Sequence, residues 1–151
     1  MESRLEQVEA SEIEFFNMAR NDEMNPEQVV ELITELIEAF DIGFDIGCGI
    51  NDMQSLGACL WDTNDINNIT ILFKEGAPIR RATVIHEMAH ALTNWNTYQD
   101  NSDAETVKAI VAESDPHGEA FLASYTAILS TVYSDRAGEA FSQILAKNGL
   151  I

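Results

Sequence analysis

Positive charge is scarce in this chain. Eight Lys and Arg stand against 26 Asp and Glu, a formal net charge of −18 over 151 residues. A surface with that balance repels nucleic acid and anionic membranes, so direct nucleic-acid binding is not expected. Long apolar runs are missing too: nothing approaches the span of about 18 residues that a membrane helix needs. The opening MESRLEQVEA has no apolar signal region, so the expected location is the cytoplasm, with no membrane partner. Cysteine is limited to Cys48 and Cys59, with no CxxC pair, and each lies among small and apolar residues. Two buried thiols are expected, not a disulfide or a zinc knuckle. No repeat and no low-complexity tract appears.

What is present fits one domain over residues 1–151, since 46% of the residues are hydrophobic and the chain is long enough to bury a core. Residues 2–19 place Leu5, Val8, Phe15, Phe16 and Ala19 near helical spacing. Residues 26–40 do so more clearly with Val29, Ile33, Leu36, Ile37 and Phe40. Asn25 and Pro26 form a start signal for the second helix, which should stop near Gly43. The first 41 residues carry 12 acidic and 2 basic side chains, so this helical part is expected to present solvated, strongly negative faces.

From Phe44 the period changes to two. Phe44, Ile46, Cys48 and Ile50 alternate with small and polar residues, as in a strand with one buried face. A second run alternates Leu56, Ala58 and Leu60 with Gly57, Cys59 and Trp61. After the polar turn DTND, INNITILF sets Ile69, Ile71 and Phe73 on one side. A small, mainly antiparallel sheet of about three strands is expected, and with the helices it gives an α+β fold. KEGAP (74–78) ends the strands. A helix then reads from Ile79 to about Trp95 with Ala82, Ile85, Ala89 and Leu92 as its apolar stripe. A short helix is expected over 103–112. Asp115 and Pro116 read as N-cap and first-turn proline of another, and a last helix covers about 136–147.

The middle of the 79–95 helix reads HEMAH. Residues four apart on a helix differ by about 40° around the axis and about 6 Å along it, so His86 and His90 project from one face and can bind one ion. Glu87, next to the first, is placed to reach a water without itself ligating the metal, the role of a general base. A catalytic zinc centre takes three protein ligands and leaves one position open. His117, in DPHGEAF, is the only other histidine in the chain and is the preferred third ligand. Glu105 and Glu113 remain alternatives. The HExxHxxGxxH form is absent, because Thr93 and Asn96 stand where its glycine and last histidine would be.

HEMAHALTNW followed by HGEAF resembles the SprT-like metallopeptidases, whose pattern is HExxH on one helix and a third histidine in an HGxxF-type segment opening the next. The resemblance covers roughly residues 42–134, leaving 1–41 as an acidic helical N-terminal part and 135–151 as a C-terminal helix. It implies a zincin-like fold with HExxH on a central active-site helix. It also implies one Zn2+ held by His86, His90 and His117, and a protein or peptide substrate cleaved with Glu87 as general base. Many members carry a cysteine-rich zinc ribbon and a basic DNA surface. Neither is present here, so a minimal catalytic domain is expected, of the kind a phage or bacterium encodes.

Several finer expectations follow. Tyr125 and Tyr98 are candidates to steady an oxyanion, although each reads better as a core or surface tyrosine. Asp103, Asp115 and Glu119 are among the carboxylates available to hold the far ring nitrogens of the ligands. The strand 69–73 is where a substrate would add as an extra strand, provided it is not buried between two others. Lys74, Arg80 and Arg81 oppose the dipole of the helix they precede or open; they are expected to neutralise the acidic N-terminal part, the alternative being contact with an acidic substrate or a phosphate. The competing reading is a non-catalytic metal-binding or interaction protein that uses the same fold as an acidic scaffold. A zinc hydrolase of a non-peptide bond has the same ligands. Oligomeric state is not legible.

Overall fold

Ser3 and Asn25 start the first two helices of the computed structural model, which describes residues 3–62, 64–101 and 103–151. Glu2, where the first helix was expected to begin, and Thr63 of the DTND turn lie outside the described residues. The Ser3 hydroxyl accepts from the Glu6 N–H and opens α1 (Arg4–Phe16). Asn25 and Gln28 exchange side-chain to backbone hydrogen bonds of 2.9 Å each, a capping box that opens α2 (Pro26–Ala39) with Pro26 in its first turn. The chain leaves α2 through Asp41, whose φ of 51° is left-handed.

Three strands follow: β1 (Asp45–Asn51), β2 (Gly57–Trp61) and β3 (Asn68–Lys74), in the order β1-β3-β2. β1 pairs with β3 in parallel and β2 pairs with it antiparallel, so the sheet is mixed, not mainly antiparallel. Alternation reports which face of a strand is buried; it carries no information about the neighbour or its direction. Because β3 is central, its edges are both used and it cannot accept a substrate strand. That expectation for 69–73 is overturned, and among the described residues the outer edges of the sheet belong to β1 and β2.

Ile69, Ile71 and Phe73 form the buried face of β3, each at most 2% exposed. Ile46, Cys48 and Ile50 are in register with them on one side, and Trp61, Cys59 and Gly57 on the other. β1 nevertheless runs out of cover, for Cys48 is exposed and Ile50 is 60% exposed. The expected burial therefore fails at Cys48, while Cys59 is half-buried. Both thiols are free and oppose Ile71 from opposite sides. Two strand spacings, about 10 Å, separate them, too far for a disulfide.

The remaining helices are α3 (Arg81–Asn101), α4 (Ala104–Glu113), α5 (Glu119–Val132) and α6 (Asp135–Lys147). α3 starts two residues later and ends six later than the expected span of Ile79 to about Trp95. It lies at the centre, packed on β2, α2, α4 and α5. Val84, Ile85, Met88, Ala89 and Leu92 join Leu36, Ile71, Leu122, Leu129 and Phe141 in one core. At its C-terminal half, Trp95 and Tyr98 enclose Phe44 at ring-centroid distances of 4.8 and 5.4 Å. That closeness requires Gly43, where a Cβ would stand 2.5 Å from the Trp95 ring.

The first turn of α3 is capped from a distance. Asn21 Oδ1 accepts from the Ala82 N–H at 2.9 Å, and Arg81 pairs with Asp22 at 2.8 Å. The carboxylate thereby offsets the unfavourable guanidinium at a helix N-terminus, and the Arg81 guanidinium beside it holds the Asp22 carboxyl down at about 2. Among the described residues no helix is long and apolar enough to cross a membrane.

Candidate metal centre

His86 and His90 are one turn apart on α3, with ring centroids 5.1 Å apart. His117 comes from the turn before α5. Asp115 was expected to cap α5, but Gly118 is its N-cap residue. Asp115 instead closes the turn: its Oδ1 accepts from the His117 N–H (2.9 Å) and its carbonyl from the Gly118 N–H (3.0 Å). The turn thus holds His117 outside the helix, aimed back at α3. Thr93 of α3, hydrogen-bonded to Ser124 of α5 at 2.8 Å, ties the two helices beside the histidines.

The three imidazoles converge. Their ligand nitrogens all lie within 4.8 Å of one another, and among the described residues they form the only such group of His, Cys, Asp and Glu. His86 Nε2 and His117 Nε2 are 3.4 Å apart. A tetrahedral zinc ion with bonds of about 2.0–2.1 Å separates two nitrogens by about 3.3–3.4 Å, so this pair matches the donor spacing of such an ion. Phe121, 1% exposed, forms a common floor: its ring stacks on His90 at 4.4 Å and lies 5.1 and 5.0 Å from His86 and His117. Glu105 and Glu113 are exposed and stand outside the group.

Burial and mutual repulsion decide the charge states. Desolvation, then the neighbouring His86 and His117, bring His90 down to about 3, so it is neutral and free to ligate near pH 7. His117 is lowered as well, by desolvation and by His86. His86 behaves oppositely. Burial works against its charge, but the hydrogen-bonded Glu12, with Glu87 and Glu9 nearby, outweighs that and holds its pKa above the usual value. Glu87 is 6% exposed, and desolvation pushes its carboxyl up to about 7, against the pull of His86. It lies against β2: a Cβ at Gly57 would meet Glu87 Oε2 at 2.9 Å.

The carboxylate that meets a ring of the histidine group is Glu12 of α1, whose Oε2 is 2.9 Å from His86 Nδ1. Asp103, Asp115 and Glu119 do not take that place. Asp103 caps α4, Asp115 closes the turn and pairs with Arg4, and Glu119 is exposed in the first turn of α5. Glu12 was hidden in the acidic run read as solvated. A signal was available, since Val8, Glu12 and Phe15 share the i, i+4, i+7 spacing of one face, and the two apolar members are buried. Tyr125 is fully buried with its hydroxyl donated to the same Glu12 oxygen at 2.7 Å, and Tyr98 packs on Phe44 and Trp95. Tyr125 is a core tyrosine, and Tyr98 is half-buried against the core.

The histidines and Glu87 line an open cleft of about 1050 Å³ between β2, α1 and the 110–121 segment. No family model, no curated protein and no solved structure matches the chain, so the reading of this cleft rests on its own geometry.

Proposed function

We propose that the chain is a zinc-dependent metallopeptidase of the SprT-like kind, hydrolysing peptide bonds in the cleft beside β2. The observation that carries this reading is the convergence of the chain's only three histidines on a cleft also lined by Glu87. His86, His90 and His117 would hold one zinc ion. When bound, zinc supplies Lewis acidity, polarising a carbonyl and acidifying water.

The chain's own residues do the rest. Glu87, which lines the cleft with the three histidines, would take a proton from the attacking water. As the peptide C–N bond breaks, the same carboxyl returns that proton to the leaving amine. β2 is an edge strand that lines the cleft, so a substrate in extended form has a free row of backbone groups to pair with. Backbone pairing favours an unfolded peptide segment over any particular sequence.

The deciding experiment is metal analysis of the purified protein and its Glu87→Gln variant, with casein and a peptide library as substrates. About one zinc is expected in each, with cleavage by the wild type at least ~10²-fold above the variant. Absence of metal from both after zinc-supplemented preparation would remove the reading. Zinc without cleavage would favour the acidic scaffold instead.

A further inference from the structure

We infer that Glu12 of α1 is a positioning residue of the metal centre, holding the His86 imidazole in the tautomer that leaves Nε2 free for the ion. The inference rests on reading His86 as a ligand and adds to it a residue from outside the motif. Glu12 Oε2 stands 2.9 Å from His86 Nδ1 and accepts from the Tyr125 hydroxyl at 2.7 Å. A carboxylate only accepts, so the proton of that contact sits on Nδ1. The lone pair is then on Nε2, the nitrogen that lies 3.4 Å from His117 Nε2. A carboxylate in this position also makes the imidazole a stronger donor to a metal.

The contact is built into the fold. The Glu12 side chain is 14% exposed, and Tyr125, buried completely, fixes the oxygen from the α5 side. α1 is anchored by Phe15 in the core, by Asn148 donating to the Ser11 hydroxyl at 2.8 Å and by the Lys147–Glu14 ion pair with α6. It reaches a second ligand as well, for Arg4 Nε donates to the His117 carbonyl at 2.7 Å. Two of the three histidines are thus braced by a helix that begins 82 positions before the first of them (Arg4 to His86).

Two measurements test this. Nitrogen-15 NMR of histidine-labelled, metal-free wild type at alkaline pH, where the rings are neutral, should show His86 as the Nδ1–H tautomer. An Nε2–H tautomer overturns the proposal without any variant being made. Zinc affinity by chelator competition should fall about 10- to 100-fold in Glu12→Gln, and the His86 tautomer should become mixed in that protein. Glu14→Gln, which loosens α1 from α6 and leaves Glu12 in place, should bind zinc as the wild type does. Equal affinity in wild type and Glu12→Gln, or equal losses in Glu12→Gln and Glu14→Gln, would overturn the role of Glu12. A wild type that binds no zinc would instead remove the metal-centre reading itself.

Discussion

β1 and β2 flank the same strand and offer similar residues to it. Cys48 and Cys59 oppose Ile71 from the two sides, and Ile50 and Gly57 both oppose Phe73. Only β2 borders the histidines. β1 carries Cys48 and Ile50 into solvent, whereas β2 lies under α3, with Gly57 close enough to Glu87 that no side chain fits between them. A strand edge comes to line the cleft here because a helix packs on it. Its own alternation would not distinguish it from the other edge.

The glycines should break this symmetry most strongly. At Gly57 a Cβ would meet Glu87 Oε2 at 2.9 Å and Thr83 Cγ2 at 3.0 Å, while nothing lies within 4 Å of a Cβ at Gly47. Gly57→Ala is expected to lower peptide hydrolysis by about 10²-fold through displacement of Glu87, with zinc content unchanged. Gly47→Ala should leave both alone. Steady-state kinetics beside metal analysis checks the pair, and equal effects would mean that β2 has no special relation to the site.

Thiol reactivity is the next contrast. Burial, and then the charge of Glu87, push the Cys59 thiol up to about 12; burial raises Cys48 as well, but that residue is exposed. Because the thiolate is the nucleophile, Cys48 should be alkylated by iodoacetamide at least ~10-fold faster than Cys59, followed by peptide mass spectrometry. Faster labelling of Cys59 would show that α3 does not cover β2 in solution.

The smallest effects belong to two exposed apolar residues. Leu56, 58% exposed, lines the cleft, and Ile50, 60% exposed, does not. Threonine at either position should change unfolding stability by no more than about 0.5 kcal/mol in urea melts. Leu56→Thr alone should raise KM for apolar peptides, and a matching rise in Ile50→Thr would count against β2 as the substrate edge.

Much of this was legible wherever the signal was local. Asn25 and Pro26 are adjacent, so the start of α2 is legible directly. Ile69, Ile71 and Phe73 alternate because β3 buries one face, and all three are buried. Other features were not legible, one within a single turn and the rest because the partner lies far along the chain. Asp115 has the residue type of an N-cap, yet Pro116 and His117 fall in a turn and the cap passes to Gly118. Strand direction was misread because the pattern of β1 is the same beside a parallel or an antiparallel neighbour. Glu12 is not legible because its helix, taken alone, is an acidic surface helix; only against α3 and α5 does this carboxylate become half-buried and paired.

By itself the sequence determined the spacing of His86 and His90, since 3.6 residues per turn puts positions four apart on one face whatever surrounds the helix. It also determined where apolar faces begin and end, because caps and periodicity act within a few residues. The approach of His117 across 31 positions, the hold of Glu12 across 74 and the choice of β2 as the edge beside Glu87 were left to the tertiary structure. Each depends on how helices and sheet pack once the core closes, and contacts between such distant residues exist only when the burial of that core brings their elements together.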